Sequence, residues 1–187
     1  MVKLNRIYTR TGDGGEAGLV DGSRVSKAGA RLTAIGEVDE VNCAVGLALA
    51  ELSPEHRLAS SLLRIQNELF DLGADLATPG EIEGALRILP EQVTRLESEI
   101  DALNEKLAPL TSFILPSGSR AVAALHLARA TTRRAERAAV ALAEGEAVGE
   151  AVLAYLNRLS DHLFVAARVV AAEGSGDVLW VPGATRT

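Results

Sequence analysis

Six apolar residues fix much of what this chain can become. Leu58, Leu62, Ile65, Leu69, Leu72 and Leu76 recur at alternating spacings of four and three. An α-helix puts such a series on one face. A long helix with one apolar stripe must bury it against a similar surface. The material for that surface is aliphatic, because hydrophobic residues are 48% of the 187 and aromatic residues only 3%. Sandwiches draw more on aromatic and β-branched residues, so the composition favours helix on helix.

The same pattern extends along most of the chain. A first helix is predicted over about 26–52, with Ile35, Val38, Val41, Val45, Leu49 and Leu52 on one face. Ser53-Pro54-Glu55 supplies a cap, a proline and an acid for the start of a second helix. That helix runs through Leu76 to Thr78-Pro79-Gly80, and residues 81–89 read as a loop. A third helix, Pro90–Leu107, carries Val93, Leu96, Ile100, Leu103 and Leu107. The fourth covers about 119–144 and ends at Gly145; the fifth covers about 147–173. The expected fold is all-α, a bundle of four long antiparallel helices plus one. An irregular glycine-rich segment precedes it and an irregular tail follows. The length suits one domain, 1–187, divided into segment 1–24, bundle 25–174 and tail 175–187.

Charge and cysteine content exclude several functions. The net charge of −6 argues against a non-specific nucleic-acid binder. One cysteine cannot make an intrachain disulfide framework or a cysteine-based zinc cluster. Cys43, flanked by Ala44 and Val45, reads as a small core residue. No apolar run approaches the ~20 residues of a membrane span. Met1–Arg6 lacks the apolar stretch of a secretory signal, so a cytoplasmic location is expected.

Three places can carry chemistry. In Thr9-Arg10-Thr11-Gly12-Asp13-Gly14-Gly15, glycines and hydroxyls let backbone N–H groups converge on an anion, and Lys27 follows closely. The bland alternative is a flexible turn. On the fourth helix, Arg129, Arg133 and Arg137 recur every four residues, with Arg134 and Glu136 beside them. Such a stripe is either a solvated face or a polyphosphate clamp. The fifth helix places Asn157 and Asp161 on one face of an apolar run, a polar pair that needs partners if buried. Asp39 on the first helix can pair with an arginine of the fourth, within or between subunits. No Glu-x-x-His pair suits a di-iron bundle, and neither His126 nor His162 sits in a nucleophile-elbow context. Both read as packed or hydrogen-bonded histidines.

Taken together, the motifs resemble the PduO-type ATP:cob(I)alamin adenosyltransferases. The similar blocks are Tyr8-Thr9-Arg10-Thr11-Gly12-Asp13, Gly22–Lys27, Val38-Asp39-Glu40-Val41-Asn42 and Phe113–Gly118. Leu125–Arg129 with Arg133–Arg137, and Tyr155–Asp161 with Leu163-Phe164, complete the set in family order. The family usually has hydroxyl residues where this chain has Glu16-Ala17. Val41 replaces a common leucine, and Ser117 stands where glycine is frequent. The resemblance implies transfer of the 5′-deoxyadenosyl group of ATP to cobalt of cob(I)alamin, giving adenosylcobalamin and triphosphate. It implies a homotrimer with sites between subunits, Mg²⁺ held mainly by the ATP phosphates, and a possible cobalamin-dependent acceptor enzyme. ATP binding falls to Thr9, Arg10, Thr11, Gly12, Asp13, Gly15, Lys27, Arg133, Glu136, Arg137 and Asn157, which makes 1–24 an ATP-binding segment. Asp39, Phe113, Arg129 and Asp161 fall to cobalamin or the subunit interface, and Arg133 and Phe113 to catalysis. A competing class is an ATP-binding sensor or assembly protein without catalysis, which has no need of Phe113 in its apolar loop.

Overall fold

The computed structural model describes residues 7–186. The opening of the N-terminal segment, Met1–Arg6, and the last residue of the tail, Thr187, lie outside the described residues. Two short strands, β1 (Glu16–Gly18) and β2 (Arg24–Ser26), form an antiparallel hairpin. Five helices follow: α1 (Ala30–Ala50), α2 (Ala59–Leu76), α3 (Pro90–Asn104), α4 (Arg120–Ala143) and α5 (Glu150–Ala172). Helix α1 packs on α2 and α4, and α5 packs on α4 and α3. No helix among the described residues is long and apolar enough to cross a membrane.

The apolar seam behaves as its spacing requires. Leu62, Ile65, Leu69, Leu72 and Leu76 of α2 are buried with Val38, Val41 and Val45 of α1 and with Leu156, Leu159 and Leu163 of α5. Alanines 124, 128, 135 and 139 turn inward from α4 and let neighbouring helices approach closely. A charged network crosses the buried side of α2, α3 and α5. Tyr155 donates to Glu68 at 2.7 Å, Arg95 also pairs with Glu68, and Arg64 pairs with Glu99. The fully buried His162 places Nε2 3.0 Å from Glu99. His126 is buried against Phe164.

Five expectations need correction. The helical pattern does not begin near residue 25: Arg24–Ser26 pairs with β1 and α1 starts at Ala30, because backbone pairing within the hairpin competes with helix formation. Ser53-Pro54-Glu55 does not start α2. The Ser53 hydroxyl turns onto the Glu55 carboxylate and the chain makes two turns before Ala59. Such local bonding by serine offers the backbone an alternative to the helix. Cys43 is exposed, since its neighbours Val41, Asn42, Ala44 and Val45 take the inward positions. The glycine-rich segment is partly ordered as the hairpin. The tail is held too: Leu115 N–H donates to Val178 O, and Trp180 N–H donates to Phe113 O, both at 2.8 Å.

The hairpin is fixed to the bundle at the end of α2. Val20 N–H donates to Ala77 O at 3.0 Å. Beside it, the buried Arg31 donates through Nη1 to Leu76 O and through Nε and Nη2 to Glu146 Oε2 at 2.9 and 2.7 Å. Arg31 thus ties the first turn of α1, the end of α2 and the α4–α5 turn. Arg31→Met is expected to destabilise the fold by about 2 kcal/mol, the scale of stranding a buried carbonyl and losing charged hydrogen bonds. Urea unfolding should show a lower midpoint with an unchanged slope.

Candidate active site

The first group of site residues sits on the N-terminal loop. Thr9 and Thr11 hydroxyls lie 2.9 Å apart. Arg10 adopts the left-handed region at φ 62°, uncommon for a residue with a side chain, with its guanidinium 5.6 Å from the Tyr8 ring centre. Gly15 takes φ 84°, which glycine adopts without strain, and its carbonyl accepts from Lys27 N–H at 2.8 Å. Lys27 Nζ donates to Gly12 O at 2.8 Å, which folds the ammonium over the loop. A Cβ on Gly12 would come within 2.9 Å of that Nζ. Glu16 pairs with Arg24, and Arg24 also donates to Thr11 O at 2.7 Å. Asp13 lies on the same turn.

The second group lies on α4 and α5. Arg133 and Arg137 are exposed, and among the described residues neither has an ion pair. Arg137 donates to Arg133 O at 2.9 Å. Half-buried Glu136 lies between them and accepts from Asn157 Nδ2 at 2.8 Å. Arg133, Glu136, Arg137 and Glu144 border a shallow depression of about 400 Å³. Arg134, which sits beside the stripe, is instead neutralised by Glu37 and Glu40 of α1. The guanidiniums of Arg133 and Arg137, exposed and without an ion pair among the described residues, can turn toward an anion at this depression, which Glu136 and Glu144 also border.

The third group forms an open, mainly apolar cavity of about 680 Å³ between the 110–114 loop, α4, α5 and the tail. Phe113 is 78% exposed at its mouth, with its ring centre 6.0 Å from that of Trp180. Arg129 lines the cavity, half-buried, and its Nε has no hydrogen-bond partner. Burial, and then the nearby Arg133 cation, lower the Arg129 pKa. Both effects make an anionic or polar partner favourable for this side chain.

Several expected pairings do not form within one chain. Asp39 is exposed beside a groove between α1 and α2 that also contains Phe70, and it makes no ion pair with Arg129. Asp161 is exposed and Asn157 only half-buried, so the two are not a buried pair; Asn157 accepts instead from Arg158, which also holds Glu97. Among the described residues, no hydrogen bond or ion pair joins the Thr9–Lys27 loop to the Arg133–Asn157 group. The tail's contribution to the cavity, Trp180, was missed from sequence. Its signal was a lone tryptophan within Val178-Leu179-Trp180-Val181, an apolar run in an otherwise polar tail.

Known proteins resemble this chain over its whole length. The Cobalamin adenosyltransferase family model matches residues 7–170. A corrinoid adenosyltransferase of Mycobacterium bovis is 51% identical, covering 100% of this chain and 98% of its own length. One from Bacillus subtilis is 50% identical over 92% of this chain and 91% of its own length. The solved structure of a variant PduO-type ATP:corrinoid adenosyltransferase from Lactobacillus reuteri, complexed with cobalamin and ATP, superposes with a TM-score of 0.88. It is 38% identical and covers 94% of this chain and 99% of its own.

Proposed function

The chain belongs to the cobalamin adenosyltransferase family, and on that premise we propose how its residues carry out the reaction. The enzyme transfers the 5′-deoxyadenosyl group of ATP to cobalt of cob(I)alamin. A cobalt–C5′ bond forms, the C5′–O bond breaks, and its electron pair leaves on triphosphate. Cob(I)alamin is a strong nucleophile, so the protein needs no general base. Its tasks are to aim C5′ at cobalt and to stabilise charge gathering on the leaving group. Arg133, Arg137, Lys27 and the N–H groups of the Thr9–Gly15 loop supply that charge stabilisation. Glu136 orients Asn157 against the nucleotide. Thr9, Arg10, Thr11, Gly12 and Asp13 complete the loop's share of the ATP site.

One observation carries this assignment of roles. On α4, Arg129 edges the apolar cavity and Arg133 begins the cation stripe one turn later, a rise of about 6 Å. An adenosyl transfer needs that adjacency of a polyphosphate clamp to an apolar macrocycle pocket. Anaerobic incubation with ATP and reduced cobalamin tests it directly. The corrinoid absorption spectrum should change to that of the alkylated product.

The active unit is a homotrimer, in which the loop of one subunit faces the α4 stripe of the next. Among the described residues no hydrogen bond or ion pair joins the two groups within one chain, and neither Asp39 nor Arg129 has an ion pair, which supports that arrangement. Asp39 of one subunit then pairs with Arg129 of another, and Asp161 lies toward the corrin or the interface. A double-mutant cycle on Asp39 and Arg129 should give a coupling of about 1 kcal/mol or more in assembly or turnover. A monomer by light scattering at micromolar concentration would contradict the shared site. Among the described residues no cluster of three or more carboxylate, histidine or cysteine side chains could cage a metal. Mg²⁺ would bind mainly through the ATP phosphates, with at most one or two carboxylates. When bound, it neutralises phosphate charge. Residues 1–187 act as one adenosyltransferase domain, 1–24 contributing the ATP loop, and the protein works in the cytoplasm. A cobalamin-dependent enzyme would accept the product.

A further inference from the structure

The apolar cavity contains one polar side chain to which the reaction assigns no task. His126 is 3% exposed and lines the cavity beside Phe164, whose ring centre is 6.3 Å away. Its Nδ1 is sealed from solvent and no hydrogen bond reaches it. Burial, and then the Arg129 cation, hold the imidazole below its usual pKa, against a smaller opposite pull from Asp177. The ring is therefore neutral at pH 7, with one N–H and one lone pair. A buried N–H without an acceptor is a rarer and costlier defect than an unused lone pair. The proton accordingly sits on Nε2, and the ring meets the cavity with a hydrogen-bond donor.

Of the other charged or hydroxyl-bearing lining residues only Arg129 offers a free side-chain donor, and the proposed inter-subunit pair with Asp39 takes it. Leu110, Phe113, Ile114, Phe164 and Trp180 are apolar over most of their surface, and the Ser112 hydroxyl is committed to Trp180 O at 2.7 Å. A corrin has an apolar ring face and a rim of acetamide and propionamide arms. Drawing one arm out of water is costly unless its carbonyl finds a donor. We propose that His126 Nε2–H donates to an amide carbonyl on the corrin rim, which makes His126 a binding and orienting residue for the corrin. This rests on the reading that the cavity takes the corrin.

Trp180 is the only tryptophan of the chain, so its fluorescence reports on this cavity. Anaerobic titration with cob(II)alamin in the presence of ATP should quench it. His126→Phe, which keeps an aromatic ring against Phe164, should weaken corrin affinity about tenfold, or 1.4 kcal/mol. ATP affinity by calorimetry should stay at the wild-type value. His126→Gln restores a side-chain N–H and should recover affinity to within about threefold of wild type. Wild-type corrin affinity in His126→Phe, with a normal melting temperature, overturns the proposal. If that variant does not fold, His126→Leu is read the same way. Absence of quenching in the wild-type protein would show that the cavity is not the corrin site, a failure distinct from an unchanged Phe variant.

Discussion

Arg133→Ala is expected to lower kcat/KM for ATP by about 30- to 1,000-fold, equivalent to about 2–4 kcal/mol, the scale of losing one charged donor to a developing anion. The structure isolates the effect. The Arg133 side chain is exposed and makes no ion pair among the described residues, and its backbone carbonyl, which holds Arg137, survives the substitution. The melting temperature should therefore stay close to wild type. Steady-state kinetics with prereduced cobalamin give the measurement. Near-native turnover would show that the stripe is only a solvated face. Arg134→Ala is the natural control, because Glu37 and Glu40 already neutralise that side chain. It should alter stability more than catalysis.

Phe113→Ala should impair conversion of cob(II)alamin by at least about tenfold, 1.4 kcal/mol on the barrier. ATP affinity and folding should barely change. The reason is electronic. A five-coordinate cob(II)alamin resists reduction, and losing the lower axial ligand makes the added electron easier to accept. A bulky apolar side chain below the ring excludes both water and the nucleotide-tail base. At 78% exposed, Phe113 is not a plug of the bundle core, while Trp180 N–H pins its carbonyl and Trp180 itself stands beside the ring. Turnover starting from cob(I)alamin should fall less than turnover starting from cob(II)alamin. The spectrum of cob(II)alamin bound with ATP decides the matter. Full four-coordinate character in the alanine variant would remove this role from Phe113.

Periodicity and punctuation made the bundle legible. Spacings of three and four placed α3, α4 and α5, and the end of α2, close to their observed spans, because burying one stripe of a long helix leaves few alternatives. The expected start of α4 at about 119 holds, and Ser119 caps it by accepting from Val122 N–H at 3.3 Å. The boundaries failed where a local interaction competes with the helix. At Ser53 the hydroxyl bonds within its own turn, and at Arg24–Ser26 the hairpin partner strand, Glu16–Gly18, takes the backbone.

Residue types at fixed spacing also marked where chemistry could sit, at the Thr9–Gly15 loop and the arginine stripe, and the family resemblance added Phe113. Which of those groups is free to act is not local. Arg129, Arg133 and Arg134 look alike in the sequence. The fold half-buries the first against an apolar cavity, leaves the second exposed and, among the described residues, without an ion pair, and gives the third two glutamates from α1. Likewise Trp180 reaches Phe113, 67 residues earlier in the chain, only because the tail turns back along the 110–114 loop. Spacing along one helix fixes a side chain's direction. Its desolvation and its partners depend on chains brought from far away, and only tertiary packing decides those.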